Sequence, residues 1–283
     1  MLKDELTKPF LKWAGGKFKI IDKILAELPS GKRLIEPFVG SGAVFLNAPF
    51  DKFLLADTNE DLINLFTFIQ QEGQAFADYA SALFTPENNQ AEVFYELRAE
   101  FNSTADRKRK AALFIYLNRH CFNGLYRCNS KGGFNVPFGR YTKPAFPYAE
   151  VTNFHTKSQN AEFVHQDFIA TMDMANSGDV VYCDPPYAPL SSTANFSDYT
   201  AAGFSQEQQQ QLADKAQELS LRGVSVIISN HDTPFTREIY QKASITEFDV
   251  QRFISSKANQ RNKAPEIVAC FNYKDSIWST PQA

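Results

Sequence analysis

Two consecutive prolines follow a short apolar segment and fix where one strand of the fold must stop. Residues 180–183 (Val-Val-Tyr-Cys) are apolar and rich in β-branched side chains, so they predict a buried strand. Pro185 and Pro186 cannot donate hydrogen bonds to a sheet. Asp184 and Tyr187 are therefore expected at the carboxyl end of a strand, which is the edge where open α/β sheets bind ligands.

The same tetrapeptide suits a flat ring that carries an amino group. Asp184 and the Pro185 carbonyl can each accept one amino hydrogen, while Tyr187 stacks on the ring face. Chemistry on a nucleobase amino group is one interpretation. A sharp turn with a solvated aspartate is the other, and these four residues alone leave both open.

A glycine turn forms a second candidate ligand site. The predicted strand at residues 33–38 leads into residues 39–42 (Val-Gly-Ser-Gly), and the next predicted strand, 53–57, ends in Asp57. Glycine permits close backbone approach, and the acid is placed to accept ribose hydroxyls. Phe45 replaces the third glycine of the dinucleotide fingerprint, so the pattern predicts an adenosine-containing cofactor without choosing between NAD and S-adenosylmethionine.

The segment 10–17 (Phe-Leu-Lys-Trp-Ala-Gly-Gly-Lys) also has the composition of a binding loop. A Walker A loop needs glycine where Leu11 stands and serine or threonine where Phe18 stands. A nucleoside-triphosphate site is therefore excluded, and the ligand stays unspecified.

Residues 107–149 contain nine lysines and arginines but no acid, in a chain whose net charge is −3. Aromatic residues and glycines are interleaved with these cations, a combination that suits phosphates and unstacked bases and predicts nucleic-acid binding. Residues 107–110 alone would indicate only a solvated face. A second acid-free stretch, 252–263, predicts a loop over the site or along a phosphate backbone.

Composition narrows the class of protein. Hydrophobic residues make up 43% of the chain, no apolar run has membrane-spanning length, and the N-terminus lacks a signal-peptide core, so we expect a cytoplasmic protein. The four cysteines form no C-x-x-C pair, which indicates neither a zinc site nor a disulfide framework. Helical periodicity covers residues 61–118, and Ser205 with Gln208 predicts a capping box. The glutamines 208–211 are expected on the wet face of that helix.

Three motifs in order resemble the DNA N6-adenine methyltransferases of the Dam type: residues 10–17, 36–42 (Glu-Pro-Phe-Val-Gly-Ser-Gly) and 184–187. Residues 118–127 and 134–141 resemble the target-recognition part of the same family. The resemblance covers nearly the whole chain. It implies an α/β fold with a Rossmann-like, mostly parallel seven-stranded methyltransferase sheet, one antiparallel strand and an inserted, mainly helical DNA target-recognition domain. The implied domains are 1–60 with 150–283 (catalytic) and 61–149 (recognition).

The resemblance also implies function. It implies methyl transfer from S-adenosylmethionine to adenine N6 in double-stranded DNA containing GATC, by a monomer that needs no metal. Catalytic roles are implied for Asp184, Pro185, Pro186 and Tyr187; cofactor binding for Trp13, Lys17, Glu36, Phe38, Gly40, Gly42, Asp57, Asp167 and Asp184; and DNA binding for Lys12, Arg119, Phe122, Asn123, Leu125, Arg127, Pro137, Arg140 and Tyr141. Phe122 replaces an intercalating tyrosine of a relative, and Cys121 stands where glycine is expected.

Four alternatives stay open at this point. A cytosine N4 methyltransferase would share the chemistry but more often carries Ser-Pro-Pro-Tyr. Cytosine C5 chemistry needs a nucleophilic cysteine, whereas Cys183 is expected in the core. An NAD dehydrogenase would leave the basic segment unexplained. A non-catalytic, cofactor-sensing DNA-binding protein would not require Asp184.

Overall fold

Seven strands form one sheet in the computed structural model, which describes residues 6–188, 204–250 and 264–272. Residues 252–263, predicted to form a loop over the site, lie outside the described residues. The strands are β1 (Leu34–Glu36), β2 (Phe53–Asp57), β3 (Ala161–His165), β4 (Val180–Cys183), β5 (Ser225–His231), β6 (Ser244–Val250) and β7 (Ala264–Phe271).

The strand order is β3-β2-β1-β4-β5-β7-β6. Strands β1 to β5 pair in parallel, while β7 runs antiparallel to both β5 and β6. This arrangement confirms the predicted mostly parallel sheet with one antiparallel strand. From β1 the strands β2 and β3 are added on one side of the sheet, and β4 and β5 are added on the other side. The strand order therefore reverses between β1 and β4, and a crevice for ligands opens at such a switch point.

Helices cover the sheet and fill the segment between β2 and β3. They are α1 (Ile21–Glu27), α2 (Ala43–Asn47), α3 (Glu60–Glu72), α4 (Gln74–Ser81), α5 (Ala91–Ser103), α6 (Arg107–His120), α7 (Tyr148–Ser158), α8 (Phe168–Asp173), α9 (Gln206–Leu221) and α10 (Pro234–Ile239). Ser205 and Gln208 form the predicted capping box of α9. Short 3₁₀ helices occupy Lys17–Ile20 and Phe122–Gly124.

Buried side chains form two apolar layers, one on each face of the sheet. In β1, Leu34 belongs to one layer and Ile35 to the other, as the alternation of a strand requires. The first layer continues without a break into α3 to α7, so the recognition segment proposed at 61–149 shares its core with the sheet. The second layer packs α8 and α9 against the opposite face.

The basic start of α6 is engaged within the fold. Lys108 pairs with Glu72 at 2.5 Å, and Lys110 pairs with Asp61 at 2.9 Å. Arg109 donates two hydrogen bonds to Glu100, at 2.6 and 2.8 Å. These cations join α6 to α3 and α5, each pair contributing about 0 to 1 kcal/mol. Lys108, Arg109 and Lys110 are therefore engaged within the fold, whereas Arg107 before them is exposed.

Two expectations about individual side chains have different outcomes. Cys183 is fully buried, and burial raises the pKa of its thiol, so it is a core residue as expected. The prediction that residues 208–211 are exposed to solvent is wrong for Gln209, whose side chain is only 1% exposed and hydrogen-bonded inside the fold. Within the described parts of the chain, no helix is long and apolar enough to cross a membrane.

Candidate active site

The carboxyl ends of the parallel strands bring the predicted acids to one edge of the sheet. Glu36 is the last residue of β1, Asp57 is the last residue of β2, and Asp184 directly follows β4. Because β1 lies between β2 and β4, the three carboxyl groups border the switch-point crevice from neighbouring strands.

Asp184 is held by a lysine from the N-terminal loop. Lys17 Nζ lies 2.7 Å from Asp184 Oδ1 and donates a further 2.7 Å hydrogen bond to the Gly15 carbonyl. The two side chains are 7% and 21% exposed, so the pair is largely withdrawn from water. Burial raises the pKa of Asp184, while the Lys17 ammonium acts in the opposite direction.

The Tyr187 ring is fixed by contacts from three directions. The Lys17 ammonium lies over the ring, 4.5 Å from its centroid. The Tyr187 hydroxyl donates to Glu266 Oε2 at 3.2 Å, and the His231 ring meets the tyrosine edge to face at 4.6 Å. A flat ligand that stacks on the face now covered by Lys17 must displace the ammonium, a cation–π contact worth about 0.5 to 2 kcal/mol.

Glu36 carries an unusual buried oxygen. Its side chain is 2% exposed, and Oε1 has no hydrogen-bond partner among the described residues. Burial raises the pKa of Glu36 well above its ordinary value, and the nearby Asp184 charge raises it further, whereas the Phe45 N–H lowers it. An unpaired buried acceptor costs about 1 to 3 kcal/mol, so the crevice favours a ligand with a hydrogen-bond donor.

The glycine turn is tied to the end of β2 by Asp57. The Gly40 N–H donates to Asp57 Oδ2 at 3.2 Å, and the Asn59 N–H donates to Oδ1 at 2.9 Å. Burial raises the pKa of Asp57, and these N–H groups lower it. Gly40 has φ +48°, and a Cβ there would lie 2.9 Å from the indole nitrogen of Trp13. The turn and the Trp13 loop therefore form a cradle that only glycine permits.

Other predicted cofactor residues border the same edge. Gly42 has φ +72° and is the N-cap residue before α2, which explains a second glycine in the turn. Phe38 stacks on Phe168, with ring centroids 5.5 Å apart. Asp167 is exposed and caps α8 by accepting a hydrogen bond from the Ala170 N–H at 3.0 Å.

Lys12 connects this edge to the recognition segment. Its backbone N–H and carbonyl both bond to the side-chain amide of Asn118, at 2.9 and 2.8 Å. Its ammonium lies 4.5 Å from the centroid of the Tyr141 ring. The same Asn118 amide donates to the Gly124 carbonyl at 3.1 Å. Two predicted DNA contacts, Lys12 and Tyr141, are thus brought together.

The segment after α6 doubles back on itself. Isolated bridges join Cys121 to Phe138 and Cys128 to Phe134, and the Phe122 N–H donates to the Pro137 carbonyl at 2.8 Å. Cys121 has an extended backbone, with φ −79° and ψ 162°, so the expected glycine is not needed for geometry here. The tight turn is made instead by Asn123, which has φ +56°.

The predicted DNA-binding residues differ in exposure. Phe122 is 52% exposed at the tip of its turn, and Asn123, Pro137 and Arg140 are also exposed. Arg127 is exposed and donates to Asn135 Oδ1 at 2.9 Å. Leu125 is half-buried against the core. Arg119 is half-buried too: burial lowers the pKa of its guanidinium, and Glu150 opposes this.

Sequence reasoning missed the groups that hold the tetrapeptide. It did not identify Glu266 or His231 beside Tyr187, nor the amides of Gln209 and Asn230 behind it. Asn230 and His231 end β5, so the strand-end rule that identified Asp57 and Asp184 would have found both. Within the described ranges, no group of three or more His, Cys, Asp or Glu could hold a metal ion.

Comparisons with known proteins identify relatives of this chain. Residues 13–254 match the family described as D12 class N6 adenine-specific DNA methyltransferase. The DNA adenine methylase of Escherichia coli strain K12 is 50% identical over 265 residues, covering 94% of this chain and 95% of that protein. DNA adenine methylases of Serratia marcescens and Vibrio cholerae O395 are 51% and 48% identical, covering 94% and 93% of this chain and 98% and 96% of theirs.

Proposed function

Since the chain belongs to the D12 class of N6 adenine-specific DNA methyltransferases, we propose that it transfers a methyl group from S-adenosylmethionine to adenine N6 in duplex DNA containing GATC. The observation that carries the reaction type is Asp184-Pro185-Pro186-Tyr187 at the carboxyl end of β4, beside a ligand crevice. The target sequence is supported by similarity to the Dam-type DNA adenine methylases.

The crevice fits an amino-acid-bearing nucleoside. The unpaired Glu36 Oε1 suits a donor such as an α-amino group, and the half-buried Asp57 carboxylate suits ribose hydroxyls. Trp13, Gly40 and Gly42 shape the cradle, while Phe38 and Asp167 border the same edge. When bound, S-adenosylmethionine supplies a methyl group on a sulfonium and leaves as a neutral thioether, so we propose no metal.

Asp184 and its neighbours orient the acceptor amine. The N6 lone pair of adenine is delocalised into the ring, which makes it a poor nucleophile. Hydrogen bonds from N6 to the Asp184 carboxylate and the Pro185 carbonyl favour a more tetrahedral nitrogen and align its lone pair for in-line transfer. As N6 takes the methyl group, one of its two protons passes to the Asp184 carboxylate and from there to water. Because Lys17 holds Asp184 Oδ1 and covers the Tyr187 ring, the entering base takes over both contacts. Pro186 gives the segment its stiff turn.

The recognition segment, residues 61–149, brings the base to this pocket. A base inside a duplex cannot reach the pocket, so it must be flipped out at a cost of a few kcal/mol. We assign to Phe122 the role of filling the gap left in the stack, which its exposure supports.

The remaining roles divide between bases and phosphates. Arg127 suits a bidentate pair with guanine, and Leu125 and Pro137 suit a thymine methyl group, each good bidentate pair discriminating by about 1 to 3 kcal/mol. We assign Lys12 and Tyr141 to base contacts, and their proximity, with the ammonium 4.5 Å from the ring centroid, supports a shared role. Arg140 suits a phosphate, and we assign Arg119 and Asn123 to the same DNA-facing surface. We propose a monomer that acts in the cytoplasm on the nucleoid.

The test is transfer of labelled methyl groups to duplexes with GATC intact or changed at one base. We expect label on adenine only, and only in the intact duplex. Equal labelling of all duplexes would contradict the GATC assignment, and label on cytosine would establish the N4 alternative. Asp184→Ala should bind DNA and lose methylation; unchanged methylation by this variant would refute the role of Asp184.

A further inference from the structure

The tetrapeptide has few backbone groups with which to anchor itself. Pro185 and Pro186 have no N–H, so the scaffold can hold this turn only through carbonyls and the groups that follow. The Pro186 carbonyl accepts a 2.8 Å hydrogen bond from Gln209 Nε2. The Ala188 N–H donates to Asn230 Oδ1 at 3.1 Å. Two side-chain amides, one from α9 and one from β5, thus hold the turn from behind.

These amides also bind each other. Asn230 Nδ2 donates to Gln209 Oε1 at 2.9 Å and to the Tyr240 hydroxyl at 3.1 Å, and Asn230 Oδ1 also accepts from the His231 N–H at 2.8 Å. Gln209 is 1% exposed, and Asn230 and Tyr240 are fully buried. Both donors and both acceptor sites of the Asn230 amide are therefore used, which leaves this network one low-energy arrangement.

Docking of α9 does not explain the network. Leu212, Ala216 and Leu219 of α9 are fully buried in the second apolar layer and already hold the helix on the sheet. Gln209 lies one turn earlier, near the end of α9 that faces the tetrapeptide. The Pro185 carbonyl, by contrast, accepts no hydrogen bond from any described residue.

We propose that Gln209 and Asn230 are positioning residues for methyl transfer, an inference that rests on the proposed function. By holding the Pro186 carbonyl and the Ala188 N–H against the scaffold, they set the direction of the Pro185 carbonyl and of the Tyr187 ring. The contacts of both amides are with protein groups, so any effect on the reaction passes through the turn. A displacement of about 1 Å at a reacting group lowers a rate by about 100-fold, so a small relaxation of this turn has a large effect.

The test compares Gln209→Met with Gln211→Met. Gln211 lies on the same helix and is exposed, so its replacement is a matched control. The single-turnover rate constant for methyl transfer to a GATC duplex is measured with saturating S-adenosylmethionine, and the dissociation constants for DNA and S-adenosylmethionine are measured separately. We expect Gln209→Met to lower the rate constant by about 10- to 100-fold. Both dissociation constants should stay within about twofold of the wild-type values, and Gln211→Met should behave as the wild type.

The outcomes separate the two proposals. A wild-type protein that places no label on adenine contradicts the proposed function itself. If the wild type is active and the rate constant of Gln209→Met lies within about twofold of the wild-type value, the positioning role is overturned. A loss that affects only the dissociation constants, and not the rate constant, overturns it too. If Gln209→Met fails to fold by circular dichroism, Gln209→Ala is used in its place, because alanine favours the helix, adds no buried charge and also removes the hydrogen bond to the Pro186 carbonyl.

Discussion

Replacing Lys17 by methionine removes the ammonium that lies 2.7 Å from Asp184 Oδ1. We expect this change to move the acidic limb of the pH–rate profile to higher pH. Burial raises the pKa of Asp184, and Lys17 is the strongest influence that lowers it. Without Lys17, the effect of burial is less opposed, so the pKa of Asp184 rises. The carboxylate is the form that accepts a hydrogen bond from adenine N6, and on acidification it is then lost at a higher pH than in the wild type.

The distance sets the size of the effect. Two unit charges 2.7 Å apart attract by about 6 kcal/mol at an effective dielectric constant of about 20. The Asp184 side chain is 21% exposed, so solvent screens part of this attraction. An opposite charge at such a distance lowers a carboxyl pKa by about 1 to 3 units. We therefore expect the acidic limb in Lys17→Met to move upward by about 1 to 3 pH units.

The assay is kcat/KM for a GATC duplex from about pH 5 to about pH 9, because kcat/KM reports the ionisation of the free enzyme. Lys52→Met is the control. Lys52 is exposed and immediately precedes β2, at the opposite edge of the sheet from Asp57. The acidic limb of Lys52→Met should match that of the wild type. Superimposable acidic limbs for Lys17→Met and the wild type would refute the coupling between Lys17 and Asp184.

Three further substitutions test other parts of the site. Gly40→Ala adds a Cβ 2.9 Å from Trp13 Nε1 at φ +48°, so the affinity for S-adenosylmethionine, measured by calorimetry, should fall by at least about 10-fold. Gly132→Ala is the control. It has the same kind of backbone strain, about 1 to 2 kcal/mol at φ +82°, but its Cβ meets no neighbouring group within 4 Å, so this affinity should not change. Phe122→Ala removes a 52% exposed ring, so thermal stability should not change while base flipping, followed by 2-aminopurine fluorescence, weakens; unchanged flipping would contradict the wedge role. Arg127→Gln should reduce discrimination at one guanine by about 1 to 3 kcal/mol in competition assays, and equal loss on all sequences would instead indicate a phosphate contact.

The elements were predictable where the sequence pattern is local. Six of the seven strands were predicted from apolar runs, at residues 33–38, 53–57, 162–167, 180–183, 224–229 and 266–271, and the capping box of α9 was identified from Ser205 and Gln208. Strand β6 was expected only through the family resemblance. It pairs with β7 alone at the border of the sheet, and it carries Glu247 and Asp249, so its hydrophobic signal is weak.

Contacts between distant segments could not be derived in this way. The charge pattern of residues 107–149 predicted a nucleic-acid surface, but the ion pairs of Lys108, Arg109 and Lys110 depend on where α3 and α5 lie. Likewise, Gln209 was expected in water because its neighbours are glutamines. Its burial follows from the way α9 crosses the sheet beside β5, which brings the amide against Asn230.

The sequence by itself determined the strand ends, the glycine turn, the acid-free segment and the identity of the tetrapeptide 184–187, because each depends on the physical properties of adjacent residues. Only the tertiary structure decided what surrounds that tetrapeptide. Lys17 reaches Asp184 across 167 positions of the chain, and Glu266 reaches Tyr187 across 79. Such pairings depend on strand order and helix packing, which bring distant residues together and leave no local pattern in the sequence.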